Sequence, residues 1–311
     1  MKVKITSLIG IGYWGKIHLK YLQKVENISI KSIFYKKNNK ILNNKSLKKF
    51  NLTNKINEIL HDNTIKFIDI VTPIQTHANI VIKFLRKDKK ILVEKPLLMN
   101  KNQENSINHL VKKSNKLVVS YPYCFSKSLD LAKKIIDSKK LGKIIYIEST
   151  IQQCGRFMKY GVNHLLAPHA ISAMSVFFNL KNININIKKI IQNNNKCETS
   201  IILCEKNKKL IGVINLSLNY ANTHNKKIFT IYCDKGLIVC DLNSKKHTII
   251  SYTYKRIQKK NYEVADVAIH KKSFFDEKNN MRFVIENFYS KKNNSKNFDI
   301  TKKINYILKN G

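Results

Sequence analysis

The stretch GIGYWGKIH, Gly10 to His18, sets three glycines in a G-x-G-x-x-G pattern. Alone, that pattern is weak evidence for a phosphate-binding turn, and the segments on either side of it decide. Before it stands KVKITSLI, which reads as a buried β-strand. After it, Trp14 to Lys24 has helical spacing, with Trp14, Ile17, Tyr21 and Leu22 on one side. A strand that ends in glycines which then open a helix is the context in which the pattern carries chemistry. Gly10 allows a tight turn, Gly12 lets the backbone approach a pyrophosphate, and Gly15 lets helix and strand pack closely. The helix N-terminus adds free N–H groups and a partial positive charge.

Working outward, ISIKSIFY (Ile28 to Tyr35) predicts a second strand, followed by a lysine- and asparagine-rich stretch with short helical pieces up to Leu60. KFIDIVTP (Lys66 to Pro73) predicts a third strand, nearly all apolar, as expected where both faces are covered. A helix follows from Thr76 to Arg86, with Thr76 placed to cap it. KKILVEKP gives a fourth strand ending at Pro96, Lys101 to Asn115 a helix, and KLVVSY (Lys116 to Tyr121) a fifth strand. Strands alternating with helices predict a parallel sheet with helices on both faces, an α/β, Rossmann-like doubly wound domain over residues 1–121.

After Tyr121 the pattern changes. A helix is expected from Ser126 to Leu141, ending at Gly142. Then come KIIYIESTIQQC, ETSIILCEK, KLIGVINLSLNY, KIFTIYCDKGLIVCDL and HTIISYTY, several with no helix between them. They predict an α+β domain over residues 122–311 with an open, mostly antiparallel sheet. Two helices, FFDEKNNMRFVIENFY and ITKKINYILKN, close the chain, and the C-terminal helix is expected to pack back on the first domain. Asparagine–lysine stretches such as NLKNININIKKIIQNNNK read as low-complexity loops.

Composition excludes several classes. The 311 residues carry 58 basic and 20 acidic side chains, a net charge of +38. Such a charge usually points to nucleic acid or an anionic membrane. Here only Arg86, Arg156, Arg256 and Arg282 are arginines, and arginine is the residue favoured for bidentate phosphate and base recognition. Lysine is instead scattered with asparagine and isoleucine, the signature of a compositional drift, so no nucleic acid is expected as partner. No stretch approaches the roughly 18 consecutive apolar residues of a membrane span. The six cysteines (124, 154, 197, 204, 233 and 240) form no C-x-x-C pair and no zinc spacing. They read as structural thiols of a cytoplasmic protein, and no metal use is inferred.

Three signals coincide: GIGYWG after the first strand, TPIQTH (Thr72 to His77) after the third, and VEKPLL (Val93 to Leu98) after the fourth. Their order and placement resemble the glucose–fructose oxidoreductase and inositol dehydrogenase family (Gfo/Idh/MocA). HLLAPHAISAM (His164 to Met174) resembles that family's histidine-bearing helix, and KIFTIYCDKGLIVCD its central sheet strand. The resemblance implies a nucleotide-binding domain joined to an open-sheet domain. It also implies NAD(P)-dependent hydride transfer on a secondary alcohol of a sugar, cyclitol or nucleotide sugar, in a homodimer or homotetramer.

Under that resemblance Lys95 binds the substrate hydroxyl and helps move its proton, and His169 is the acid/base. A hydroxyl that loses hydride must also lose a proton, so a positioned base is required. A lysine beside a cationic nicotinamide has its pKa pushed down by like charge. The cofactor-binding set is Gly10, Gly12, Tyr13, Trp14, Gly15, Tyr35, Lys36, Lys37, Thr72, Pro73, His77, Glu94 and Lys95. Tyr13 and Trp14 either flank the cofactor or pack, Trp14 being the better placed to pack. His77 reads as a helix-start residue near the cofactor rather than a catalyst, and Asn163 and His164 line the substrate site. An NAD enzyme carries Asp or Glu about 20 residues past the glycines to bind the ribose 2′-OH. Tyr35, Lys36 and Lys37 stand there instead, which favours NADP over NAD.

The chain also departs from the family pattern. Where many members have an aspartate four residues before the histidine and another acid just after it, this chain has Leu165 and Ala170. A second expectation follows: a decayed or repurposed member that binds dinucleotide without catalysis.

Overall fold

The computed structural model describes residues 3–36, 47–114, 116–154, 161–192, 197–220, 224–242, 246–275, 280–290 and 295–310. They form two compact units, one of residues Met1–Tyr121 with Asn280–Asn305, the other of Pro122–Asn279 with Tyr306–Gly311.

The first unit is built on a six-stranded parallel sheet. Its strands are β1 (Lys4–Ile9), β2 (Ile28–Phe34), β3 (Asn51–Thr53), β4 (Phe67–Ile70), β5 (Lys90–Glu94) and β6 (Leu117–Ser120), in the order β3-β2-β1-β4-β5-β6. The helices α1 (Tyr13–Leu22), α2 (Ile56–His61), α3 (Ile74–Arg86) and α4 (Lys101–Ser114) connect them. This is the doubly wound order whose topological switch lies between β1 and β4, where the direction of strand addition reverses. Apolar strand residues on both faces explain it: Leu8, Ile9, Ile33, Ile68, Ile70, Ile91, Leu92 and Val93 are all at 0% exposure.

Two later helices complete this unit, α7 (Asn280–Tyr289) and α8 (Ser295–Asn310), the latter through Asn305. Tyr289 and Thr6 share a hydroxyl hydrogen bond of 2.7 Å, and Lys90 Nζ donates to the Phe288 carbonyl at 2.7 Å. Asn297 serves edge strand β6: its Oδ1 accepts from the Val119 N–H and its Nδ2 donates to the Val119 carbonyl, both at 2.8 Å. That side chain occupies one residue of an edge that would otherwise offer unpaired backbone groups.

In the second unit an eight-stranded sheet runs β14-β13-β12-β11-β7-β10-β9-β8. Its strands are β7 (Ile144–Gln152), β8 (Asn184–Gln192), β9 (Cys197–Lys206), β10 (Lys209–Ser217), β11 (Lys226–Cys233), β12 (Gly236–Asp241), β13 (Lys246–Gln258) and β14 (Glu263–Phe275). All pairs are antiparallel except β7 with β10. Helix α6 (Val162–Met174) lies on β7, β9 and β10, and α5 (Lys127–Asp137) on β12 and β13. Elsewhere on the sheet the rings of Tyr146 and Tyr232, paired across β7 and β11, stack at 4.3 Å.

Several expectations are corrected. The NININI stretch is strand β8, not loop: Ile183 and Ile185 are buried while Asn184 and Asn186 are exposed, a period of two that the lysine–asparagine composition hid. Strand β14 was not anticipated, and it runs through Phe274 and Phe275, which were assigned to the following helix; that helix begins at Asn280. Helix α3 starts at Ile74 behind Pro73, so Thr76 does not cap it; its hydroxyl lies 2.7 Å from the Pro73 carbonyl. Proline fits the cap because its ring fixes φ and its missing N–H has no helical partner to lose. The short pieces before Leu60 comprise β3 as well as α2, and α5 ends at Asp137 rather than Leu141.

Candidate active site

The glycine turn joins β1 to α1, and its three glycines do three different things. Gly10 has φ +105°, and a Cβ there would lie 2.6 Å from the Val71 carbonyl oxygen. At Gly15 a Cβ would lie 2.3 Å from the Gly10 carbonyl oxygen, so the helix sits on its own turn. Around Gly12, the N-cap of α1, nothing lies within 4 Å of that position, and no side chain caps the helix. An uncapped helix N-terminus faced by open space is the geometry an anionic group needs. A pyrophosphate therefore fits these residues, in a space that a side chain at position 12 would fill.

Replacing Gly12 by Val is expected to leave the fold intact and to weaken dinucleotide binding by more than about tenfold. Gly15→Ala forces backbone apart and should destabilise the fold by about 1–3 kcal/mol. Urea unfolding and nicotinamide fluorescence, read on both variants, would separate the two effects.

Tyr13 and Trp14 stand beside the turn, their rings edge-to-face at 5.6 Å. Trp14 is 45% exposed and Tyr13 66%, so Trp14 does not pack into the core. At the end of β2, Tyr35 donates its N–H to the Thr53 carbonyl at 3.0 Å and is half-buried, while Lys36 is exposed. Lys37 lies outside the described residues.

Thr72, Pro73 and His77 form one clasp. The buried His77 ring sets Nε2 2.7 Å from the Thr72 carbonyl and Nδ1 3.1 Å from the Pro96 carbonyl. It thus ties the end of β4 to the Glu94-Lys95-Pro96 turn. Burial holds its pKa below the ordinary value, against the pull of the two carbonyls. The Lys95–Pro96 peptide is cis. Lys95 is half-buried, and its N–H donates to Glu94 Oε2 at 3.1 Å.

The sequence reading assigned no role to His18, which lies at the centre of this arrangement. Its Nδ1 is 2.9 Å from Asp69 Oδ2, its Nε2 3.1 Å from Glu94 Oε1, and all three residues are buried. Carboxylates only accept, so both ring nitrogens donate and the imidazole is charged. Burial opposes that charge, but the Asp69 and Glu94 carboxylates outweigh it and raise the His18 pKa to about 10. Burial likewise opposes the Glu94 charge, and His18 with Lys95 outweighs it, holding Glu94 below the usual carboxylate value. Helix α1, which carries the glycine turn, is thereby pinned to β4 and to the residue that fixes Lys95.

The second unit carries the other predicted residues on α6. His169 is half-buried, with its ring edge-on to the buried Tyr123 at 5.2 Å. Burial, aided by the Asp241 charge, pushes the Tyr123 hydroxyl well above its ordinary value. Neither Tyr123 nor Asp241 was picked out by the sequence reading. Leu165, one turn before His169, offers it no carboxylate, and Ala170 is fully buried. His164 is half-buried. Asn163 is 2% exposed, and neither its Oδ1 nor its Nδ2 has a hydrogen-bond partner among the described residues.

Residues 5–121 match the family model described as the oxidoreductase family with an NAD-binding Rossmann fold, GFO_IDH_MocA. Among curated proteins, scyllo-inositol 2-dehydrogenase (NAD(+)) of Bacillus subtilis (strain 168) is 32% identical over 99 residues, covering 32% of this chain. That alignment spans 29% of the relative, less than a third of its length. Among solved structures, KijD10, a 3-ketoreductase from Actinomadura kijaniata in complex with TDP-benzene and NADP, has a TM-score of 0.78 at 10% identity, covering 99% of this chain and 96% of that one. UDP-N-acetylglucosamine 3-dehydrogenase GnnA from Acidithiobacillus ferrooxidans has a TM-score of 0.77 at 12% identity, covering 100% and 96%. At such identities the likeness is one of fold. Residues 5–121 match the NAD-binding Rossmann-fold model of the Gfo/Idh/MocA oxidoreductases, and over its whole length the chain shares the fold of these two solved structures.

Proposed function

We propose that this chain is an NAD(P)-dependent oxidoreductase that passes a hydride between nicotinamide and a secondary alcohol of a sugar, cyclitol or nucleotide sugar. The observation that carries it is the open, uncapped turn at Gly12, at the C-terminal end of β1 in a sheet of order β3-β2-β1-β4-β5-β6. Residues 1–121 serve the dinucleotide, and residues 122–311 serve the substrate and the partner copies of a homodimer or homotetramer.

When bound, the dinucleotide supplies the hydride acceptor or donor. The chain's own residues do the rest. The turn at Gly10 to Gly15 holds the pyrophosphate, and Thr72, Pro73 and His77 support the neighbouring strand end. Lys95, its backbone fixed by Glu94, binds the substrate hydroxyl and takes or returns its proton, with His169 as the second acid/base. The absence of a carboxylate at Tyr35 and Lys36, the positive charge of Lys36, and the NADP in the KijD10 complex support NADP over NAD.

Asn163 supports a substrate site on α6. A buried amide without partners costs roughly 1–3 kcal/mol, and a sugar hydroxyl would satisfy it. Asn163→Leu is therefore expected to raise the stability of the ligand-free protein while weakening turnover. Thermal unfolding and activity, measured on the same preparation, check both; a variant that loses stability would remove this assignment.

Leu165 and Ala170 favour one second reading, a chain that binds dinucleotide without catalysis. The two readings part on a panel of UDP-sugars, free sugars and inositols assayed with NADPH and NADH. Turnover abolished by Lys95→Ala and by His169→Ala supports the enzyme; dinucleotide binding with no turnover supports the alternative.

A further inference from the structure

Strand β14 ends the order of the eight-stranded sheet, so its outer side has no partner strand among the described residues. It is 13 residues long, pairs with β13 without a register shift, and contains neither proline nor glycine. Folds usually blunt a sheet edge with a short strand, a proline, a bulge or charged side chains, above all lysine; of these β14 has only the charges, Glu263, Asp266, Lys271 and Lys272. Every residue from Glu263 to Ser273 is exposed, on both faces. Among them are Val264, Val267 and Ile269, the last 64% exposed. A long, straight, two-sided exposed edge is a template for another strand.

The charges identify that strand. Glu263 and Asp266 lie in the first half of β14, and His270, Lys271 and Lys272 in the second. Laid antiparallel against itself about Ile269, this sequence sets Asp266 opposite Lys272, while Glu263 falls opposite Phe275. Laid parallel, it sets acid on acid and lysine on lysine. We propose that two copies of this chain join β14 to β14, antiparallel, about a two-fold axis at Ile269, so that their two sheets become one. In that register Asp266 faces Lys272 of the second copy, the same contact recurs by symmetry, and Ile269 faces its own counterpart. Tyr252 and Tyr254, which pair with Ile269 and Val267 across the hairpin, extend the apolar strip beside the axis. Asp266 also faces Lys255 within its own hairpin, so it stands between two lysines. A strand from an unrelated protein has no reason to repeat this double match.

The interface rests on the homo-oligomer reading and is independent of the cofactor. Sedimentation equilibrium of the full chain at micromolar concentration tests it, with circular dichroism as a check that the exposed substitutions leave the fold intact. The wild type is expected to be an even-numbered oligomer, and Ile269→Lys to halve it. Asp266→Lys and Lys272→Asp should each weaken association by about tenfold, since each sets like charges opposite one another twice. The double variant should return to within about threefold of wild type. A monomeric wild type would overturn both the oligomer and this interface. An oligomer unmoved by Ile269→Lys, or a double variant no better than its singles, would overturn the interface alone.

Discussion

His18→Ala is expected to destabilise the first unit by about 3–5 kcal/mol, the usual loss when one partner of a buried ion pair is removed. The substitution deletes the only cation bonded to both Asp69 and Glu94 among the described residues, leaving two buried carboxylates to face each other. It also frees helix α1 from β4 and β5, and so loosens the glycine turn that α1 carries. Urea unfolding of the two proteins at pH 6 measures the difference; a loss under about 1 kcal/mol would mean the cluster is not a charged one.

The same cluster sets a pH signature. His18 has a folded pKa of about 10 against an ordinary 6.5, so its contribution is fully present below pH 6.5 and is lost as pH rises towards 10. Glu94 has a lowered pKa, so its contribution is present above its ordinary 4.5 and is lost on acidification below that value. Wild-type stability should therefore fall between pH 6.5 and 10, and the His18→Ala variant should lack that component of the fall. Parallel slopes in the two proteins would place the ionisation elsewhere.

Lys95→Ala is expected to lower kcat by about 100- to 10,000-fold, the range for loss of a positioned acid/base. Dinucleotide affinity should change much less, because the turn around Gly10 to Gly15 is untouched. The expectation follows from the way Lys95 is held. Its backbone N–H is fixed on Glu94, Glu94 is fixed on His18, and its side chain is half-exposed at the C-terminal end of β5, where folds of this order bind their ligands. Steady-state kinetics on the substrate found in the panel, with a parallel dinucleotide titration, would check both. A variant that keeps its kcat would remove Lys95 from the reaction.

Much of this was legible in the sequence because its signals are local. Strand-to-helix alternation, the glycine spacing and the Glu94-Lys95-Pro96 stop each act within a few residues, and the strands they mark are found at those positions. His18 shows what was lost. It lies inside the opening motif, one turn after Gly15 and on the buried face with Leu19 and Leu22. Asp69 is a lone acid in an otherwise apolar strand, FIDI. A charge in a strand covered on both faces must meet a buried partner. The signal for a buried cation was present, but its partner is 51 residues away in sequence. Strand β14 failed for the opposite reason. With both faces exposed from Glu263 to Ser273, EVADVAIHKKS has no inward set to alternate with an outward one, so no period of two marks it.

The most direct measurement is a titration of the purified chain with NADPH and with NADH, followed by nicotinamide fluorescence, with Gly12→Val alongside. Saturable binding of NADPH, weaker binding of NADH, and loss of both in the variant are the predicted results. If neither dinucleotide binds the wild type, the turn at Gly12 holds no pyrophosphate and the oxidoreductase reading is contradicted.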